Sequence, residues 1–213
     1  MQAAFDTARI ALTVIFLVYA SWRDYKVREV SDKVWIVFAP IALALSLATF
    51  FLYDISQLTH FGISVGITVG FALLLFYTGG FGGADSKAFI CIAFALPFFP
   101  TSIITPLFNE GISPLSQIIF SITILSNSVL VAALSALYLL LRNLAKRIIS
   151  GQDLFEGTLS KESIGKKILV LITGQKFSLD VLKAKWHIYP MEDVEEINNT
   201  DQLKRKLVIV PND

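Results

Sequence analysis

The chain is 213 residues long, 54% hydrophobic and 16% charged, whereas an ordinary soluble domain is about 25% charged. Its net charge of +1 gives no basic surface for nucleic acid. Its single cysteine, Cys91, excludes an internal disulfide and a cysteine-based zinc cluster, and reads as a small packing residue in an apolar run. Charge is also unevenly spread. Between Val34 and Leu141 only Asp54, Asp85, Lys87 and Glu110 are charged, whereas twelve Lys/Arg and ten Asp/Glu follow from Arg142 onward. A membrane part followed by a water-soluble tail is the simplest account of that split.

In chain order, Ile10–Ala20 is the first apolar run. It leads into Trp22-Arg23-Asp24 rather than a small-residue cleavage site, so it reads as a span and not as a cleavable signal peptide. Five stretches reach the roughly 20 apolar residues that a bilayer requires: Phe5–Trp22, Val34–Tyr53, Phe61–Thr78, Ala88–Leu107 and Leu115–Leu141. The last is long enough to tilt or protrude. Pro40, Pro97 and Pro100 predict kinks or helix ends whose freed carbonyls find partners elsewhere.

The cations set an orientation. Arg23, Lys26, Arg28 and Lys33 follow the first span, Lys87 precedes the fourth, and twelve lie in the tail. Seventeen of 18 Lys/Arg thus fall on one side, Arg9 being the exception. That side is expected to be the cytoplasm, with the N-terminus outside. His60 and His187 then lie on opposite sides and form no shared site.

In the tail, Ile168–Thr173 and Leu207–Val210 are short apolar runs suited to strands, and Glu192–Lys206 reads as charged loop or helix. Asn198-Asn199-Thr200 matches a glycosylation acceptor that would be silent in the cytoplasm. The expected fold class is an all-α polytopic membrane protein of about five transmembrane helices with a small α+β cytoplasmic C-terminal region. Residues 1–145 form the membrane domain and 146–213 the soluble region, with a linker near Ser150–Ser163.

Two acids stand out by placement. Asp24 follows the first span, and Asp85 lies between two spans in Gly79-Gly80-Phe81-Gly82-Gly83-Ala84-Asp85-Ser86-Lys87. By the topology above both sit near the same membrane face. Two carboxylates sharing a site do not both ionise easily, so one serves as base toward water while the other donates to a carbonyl oxygen. The glycines would let an extended peptide approach the backbone and pair its amides. Blander readings exist for each feature alone: an interfacial anchor for Asp24, a helix cap for Asp85, and a tight turn for the glycines.

The combination resembles a known family. Asp24-Tyr25-Lys26-Val27-Arg28-Glu29-Val30-Ser31-Asp32-Lys33-Val34-Trp35 is similar to the first-loop pattern of archaeal preflagellin and type IV prepilin peptidases, GxGD-type membrane aspartic proteases. Gly82-Gly83-Ala84-Asp85-Ser86-Lys87 resembles their Gly-x-Gly-Asp motif followed by x-Lys, with Ala84 in place of the third residue. An ordinary backbone at Ala84 tolerates that methyl group; a positive φ would not. The resemblance covers roughly residues 1–145. It implies that Asp24 and Asp85 are the catalytic pair and that Gly82, Gly83 and Ala84 belong to the substrate-binding loop. Lys87, which matches the motif's lysine, is expected to belong with that substrate-binding loop and to balance charge locally. It further implies a hydrolase that removes short basic leaders from preflagellin- or prepilin-like precursors at the cytoplasmic membrane face, with no metal or organic cofactor.

Archaeal members carry six spans. Here five are found, and the sequence stops at Leu207–Asp213, where a sixth would begin. Bacterial members commonly add a cysteine-rich domain and methylate the product; one cysteine and no glycine-rich nucleotide motif predict a peptidase only. The competing classes are an ion- or proton-coupled carrier titrating Asp24 and Asp85, which would favour mid-membrane acids and inverted repeats, and a membrane-anchored scaffold.

Overall fold

The computed structural model describes residues 2–105, 113–151, 154–177, 179–184, 190–196 and 203–208. Glu110, His187 and Asn198-Asn199-Thr200 lie outside the described residues. Among the described residues eight α-helices and two strands follow in order: α1 (Gln2–Val27), α2 (Asp32–Tyr53), α3 (Gln57–Tyr77), α4 (Gly83–Ala95), α5 (Pro114–Ile118), α6 (Phe120–Ser150), α7 (Ile164–Thr173), α8 (Leu179–Ala184), β1 (Glu192–Glu196) and β2 (Leu203–Leu207). Two compact units result, Met1–Ser128 and Val129–Asp213, with the boundary inside α6.

Among the described residues four helices, α1, α2, α3 and α6, are long and apolar enough to cross a membrane. They make this a multi-pass membrane protein. Their outward faces carry exposed Ile, Leu, Val and Phe, as surfaces solvated by lipid rather than water do. Pro40 sits inside α2, which nonetheless runs from Asp32 to Tyr53. At the α2–α3 turn, hydrogen bonds from Ser56 and then Gln57 hold the Asp54 carboxyl below its ordinary range. That contribution is present above the unfolded carboxyl's titration and is lost as acid protonates it.

The fourth apolar stretch differs from the expected span. Its helix, α4, has 13 residues, about 20 Å at 1.5 Å per residue, against a hydrocarbon core of about 30 Å. Pro97 disfavours a helical conformation at Leu96, which leaves helical geometry with φ −129° while its N–H still reaches Ile92 O. In an apolar surround the carbonyls beyond the break need donors. Ser46 Oγ of α2 donates to Phe94 O at 2.6 Å, Ser64 Oγ of α3 to Pro97 O at 3.1 Å, and the N–H of Phe120 also to Pro97 O at 3.0 Å. Both serines are fully buried.

The first unit's core lies where α1, α2 and α4 meet: Ala20, Trp35, Phe38, Ala42, Cys91, Ala95 and Leu96. Phe16 stacks on Phe38 at 4.8 Å. Small residues on α4 let it lie close to its neighbours, as membrane helices prefer. Arg9, the exception in the cation count, is buried and paired with Asp6 one turn away. Asp6 also accepts from Ser102 Oγ, and Arg9 Nη1 donates to Ser46 Oγ at 3.3 Å.

In the second unit, Ile168–Thr173 is not a strand but the end of α7, whose N-terminus is capped by Ser163 Oγ accepting from Lys166 N. Nor is the described part of Glu192–Lys206, residues 192–196 and 203–206, loop or helix. It contributes β1 and most of β2, paired antiparallel with Asp193 opposite Lys206 and Val194 opposite Arg205. An acidic strand facing a basic one substitutes charge complementarity for β-propensity, and Glu192 pairs with Arg205. Leu207 lies in β2 as expected, while Val208 follows it and residues 209–210 lie outside the described residues. Leu207 and Leu159, the latter in a 3₁₀ turn at Gly157–Lys161, are buried.

Ser46→Ala should lose about 1–2 kcal/mol, by stripping Phe94 O of its donor. Unfolding by SDS titration in mixed micelles checks this, with the exposed Ser128→Ala as a control expected to change little.

Candidate active site

Four helix ends lie on the same side of the up-and-down bundle: the C-termini of α1 and α3 and the N-termini of α2 and α4. Asp24 lies in the last turn of α1, exposed, with Arg28 Nη1 3.8 Å from its Oδ2. Arg28 itself ends the helix. Its N–H donates to Asp24 O at 2.8 Å and its φ is +54°, the left-handed region that only Arg28 adopts among the described non-glycine residues. That reversal leaves four residues, 28–31, to reach α2, where Ser31 Oγ accepts from Lys33 N.

The glycine stretch divides into a helix stop and a helix start. Gly79 adopts φ +76°, its N–H donates to Phe76 O at 3.1 Å, and Gly80 N donates to Leu75 O at 2.8 Å. This paired pattern is the Schellman ending, which favours glycine at the left-handed position. Gly82 then enters α4 with ordinary extended backbone, φ −69° and ψ 161°.

Asp85 occupies the third position of α4. Its Oδ2 accepts from Gly82 N at 3.2 Å, one half of a capping box. The reciprocal half needs a side-chain oxygen at residue 82, which glycine lacks. The cap suits a carboxylate at the positive end of the helix dipole, so the structural reading of Asp85 is realised. Its Oδ1 has no partner among the described residues, and Asp85 is exposed.

Gly82 is exposed, and a Cβ there would lie 3.1 Å from Asp85 Oδ2. Gly83 faces Phe76, with a Cβ contact of 3.7 Å to its ring. Ala84 is helical and its φ is not positive, so its methyl group is accommodated without strain. Lys87 reaches Asp32 Oδ1 at the start of α2, at 2.5 Å. Asp32, for which the sequence suggests no role, thereby ties α4 to α2 beside Asp85. An exposed lysine two residues past a motif aspartate, with a free acid at the facing helix start, was the signal available. Trp35, one turn into α2, is buried with its indole N–H unpaired among the described residues. His60 is exposed on α3, near the other end of the bundle.

No hydrogen bond or ion pair joins Asp24 to Asp85; each carboxylate is held by its own helix end. The arrangement offers two exposed acids at one end of a bundle, one oriented by a backbone N–H, beside a glycine strip with open access.

Residues 11–141 match the model of the type IV leader peptidase family. The chain belongs to that family. Its enzyme class is therefore that of a peptidase, and the matched stretch contains Asp24, Asp85 and the glycine turn. Among curated relatives, the preflagellin peptidase of Methanococcus maripaludis is 25% identical over 177 residues, 79% of this chain and 68% of that protein. No solved structure matches.

For a leader peptidase built this way, Gly82→Ala should preserve the fold, because its backbone is ordinary, yet push the Asp85 carboxylate from its donor. Peptidase activity should fall by roughly 10- to 100-fold, as for a misplacement of about 1 Å, with helicity by circular dichroism unchanged. Lys87→Met should alter stability by less than about 1 kcal/mol, since the pair is solvent-exposed; chemical unfolding measures it.

Proposed function

We propose that this protein is a membrane-embedded aspartic endopeptidase that removes the short basic leader from preflagellin- or prepilin-like precursors at the cytoplasmic membrane face. The observation that carries the reading is the family match over residues 11–141, within which the two aspartates sit at one end of the helical bundle. The relative named a preflagellin peptidase supports the substrate class.

In this reading Asp24 and Asp85 act as one unit. One carboxylate, ionised, takes a proton from water; the other, protonated, donates to the scissile carbonyl oxygen as the tetrahedral intermediate forms. The proton is then returned to the leaving amine. The N–H of Gly82 orients Asp85, and the exposed strip at Gly82 and Gly83 receives the extended peptide. Ala84 contributes backbone alone. Lys87, through Asp32, sets the start of α4 against α2 and balances charge locally. Neither carboxylate bonds the other in the free chain, and catalytic geometry of this kind tightens when substrate is bound.

Residues 1–145 would form the peptidase domain and 146–213 a cytoplasmic region. The N-terminus lies outside and Asp24, Asp85 and the tail inside, in accord with the cation bias.

The test is cleavage of a pilin-type precursor by the full chain in proteoliposomes, beside Asp24→Asn and Asp85→Asn. Each substitution should reduce cleavage by about 10³-fold or more. Cleavage that survives either one refutes the two-aspartate mechanism. Loss of proton-coupled uptake with no cleavage by the unaltered chain would move the assignment to a carrier.

A further inference from the structure

α7 has ten residues, about 15 Å, too short to cross a bilayer. Helical periodicity puts Ile164, Ile168 and Ile172 on one face with Leu169 beside them, and Lys166 and Lys167 elsewhere. In a unit solvated only by water the isoleucine face would turn inward. Here Ile164 is 76% exposed and Ile168 48%, while the lysines are engaged with the unit itself. Lys166 pairs with Glu162 at 3.3 Å. Lys167 Nζ donates to Ser160 O at 2.6 Å and lies over the Phe155 ring.

A second observation fixes the level at which this face lies. The side-chain amide of Asn143, on α6, donates to Leu171 O at 2.8 Å and Gly174 O at 2.9 Å. Beside it, Arg142 Nη1 donates to Gln175 Oε1 at 2.5 Å. α6 carries no charge from Phe120 to Leu141, and Arg142 is its first. Those 22 uncharged positions rise about 33 Å, matching a hydrocarbon core of about 30 Å. Arg142 and Asn143 therefore stand where the hydrocarbon ends, and they hold the C-terminal turn of α7 there. Charge agrees: residues 161–177 hold four lysines and one glutamate, a net of +3 (4 − 1), and Lys146 and Arg147 lie nearby on α6.

We infer that α7 is an interfacial helix that lies in the headgroup layer of the bilayer, its isoleucine face sunk toward the acyl chains and the net positive charge of residues 161–177 drawn toward anionic phospholipid headgroups. A short helix with one apolar face and flanking lysines is the form such contacts take, and anionic headgroups attract lysines held within a Debye length of the surface. The inference depends only on α6 crossing the membrane, and not on the proposed function.

The experiment uses the full chain in nanodiscs of phosphatidylglycerol and phosphatidylcholine. Ile164→Cys, Ile168→Cys and Lys166→Cys are labelled singly with bimane; the native Cys91 is buried and gives the blank. Shallow doxyl-lipid should quench the labels at 164 and 168 roughly threefold more than the label at 166, with iodide showing the opposite order. Equal iodide quenching at all three positions overturns the assignment. Hydrogen exchange on the unaltered chain guards against a variant that does not fold. Amides of 164–173 should exchange roughly tenfold more slowly on anionic than on purely zwitterionic nanodiscs, and identical exchange on both overturns the role of the lysines.

Discussion

A carbonyl freed inside an apolar surround must find a donor, and the first unit is organised by that constraint at the break between α4 and Pro97. A helix of 13 residues carries Asp85 at one end and stops short of a full span at the other. What keeps so short a helix in place is a set of donors from three other segments: Ser46 from α2, Ser64 from α3 and the backbone N–H at the start of α6. Ser46 also accepts from Arg9 of α1. Hydrogen bonds at the buried end of α4 thus fix the direction in which its other end, with Asp85, points out. Packing alone could not do so cheaply, because lipid tails are as apolar as the leucines and isoleucines of the bundle and reward no particular seat.

At the open end the forces change character. Asp24, Arg28, Asp32, Asp85 and Lys87 are exposed, so their mutual attractions are screened and each pair is worth little to stability. Their value lies in geometry. Backbone devices do most of the positioning: the left-handed Arg28, the Schellman ending at Gly79, and the single N–H that orients Asp85. Of these acids only Asp85 is held by a main-chain N–H, and in the proposed reading it can exchange that partner for a substrate's without unfolding anything.

Legibility in the sequence followed the physics of each part. Charge depletion and apolar run length identified α1, α2, α3 and α6, because a bilayer imposes both. The same criterion overextended the fourth run, since it weighs hydrophobicity alone; Pro97 was legible as a helix end, and the donors Ser46 and Ser64 that satisfy the freed carbonyls were not. Asp85 and its glycines were legible as a motif, and the positional value of Gly79 follows from its turn. Ala84 needed the backbone: only a helical φ explains why a methyl group is accepted there. In the tail the sequence misled twice. The apolar run at Ile168–Thr173 looks like a strand because its partners are invisible, and the acidic and basic segments look like loop or helix because their pairing is electrostatic and separated in sequence.

The pairing of Arg9 with Asp6 bears on how the chain enters a membrane. Carrying a lone guanidinium through hydrocarbon is costly, and a single such residue opposes the side preference set by all the others. In the orientation proposed above, Asp6 on the same helical turn would let Arg9 cross as half of a neutral pair rather than as a lone cation. In the folded chain the same pair is the polar knot that Ser46 and Ser102 complete.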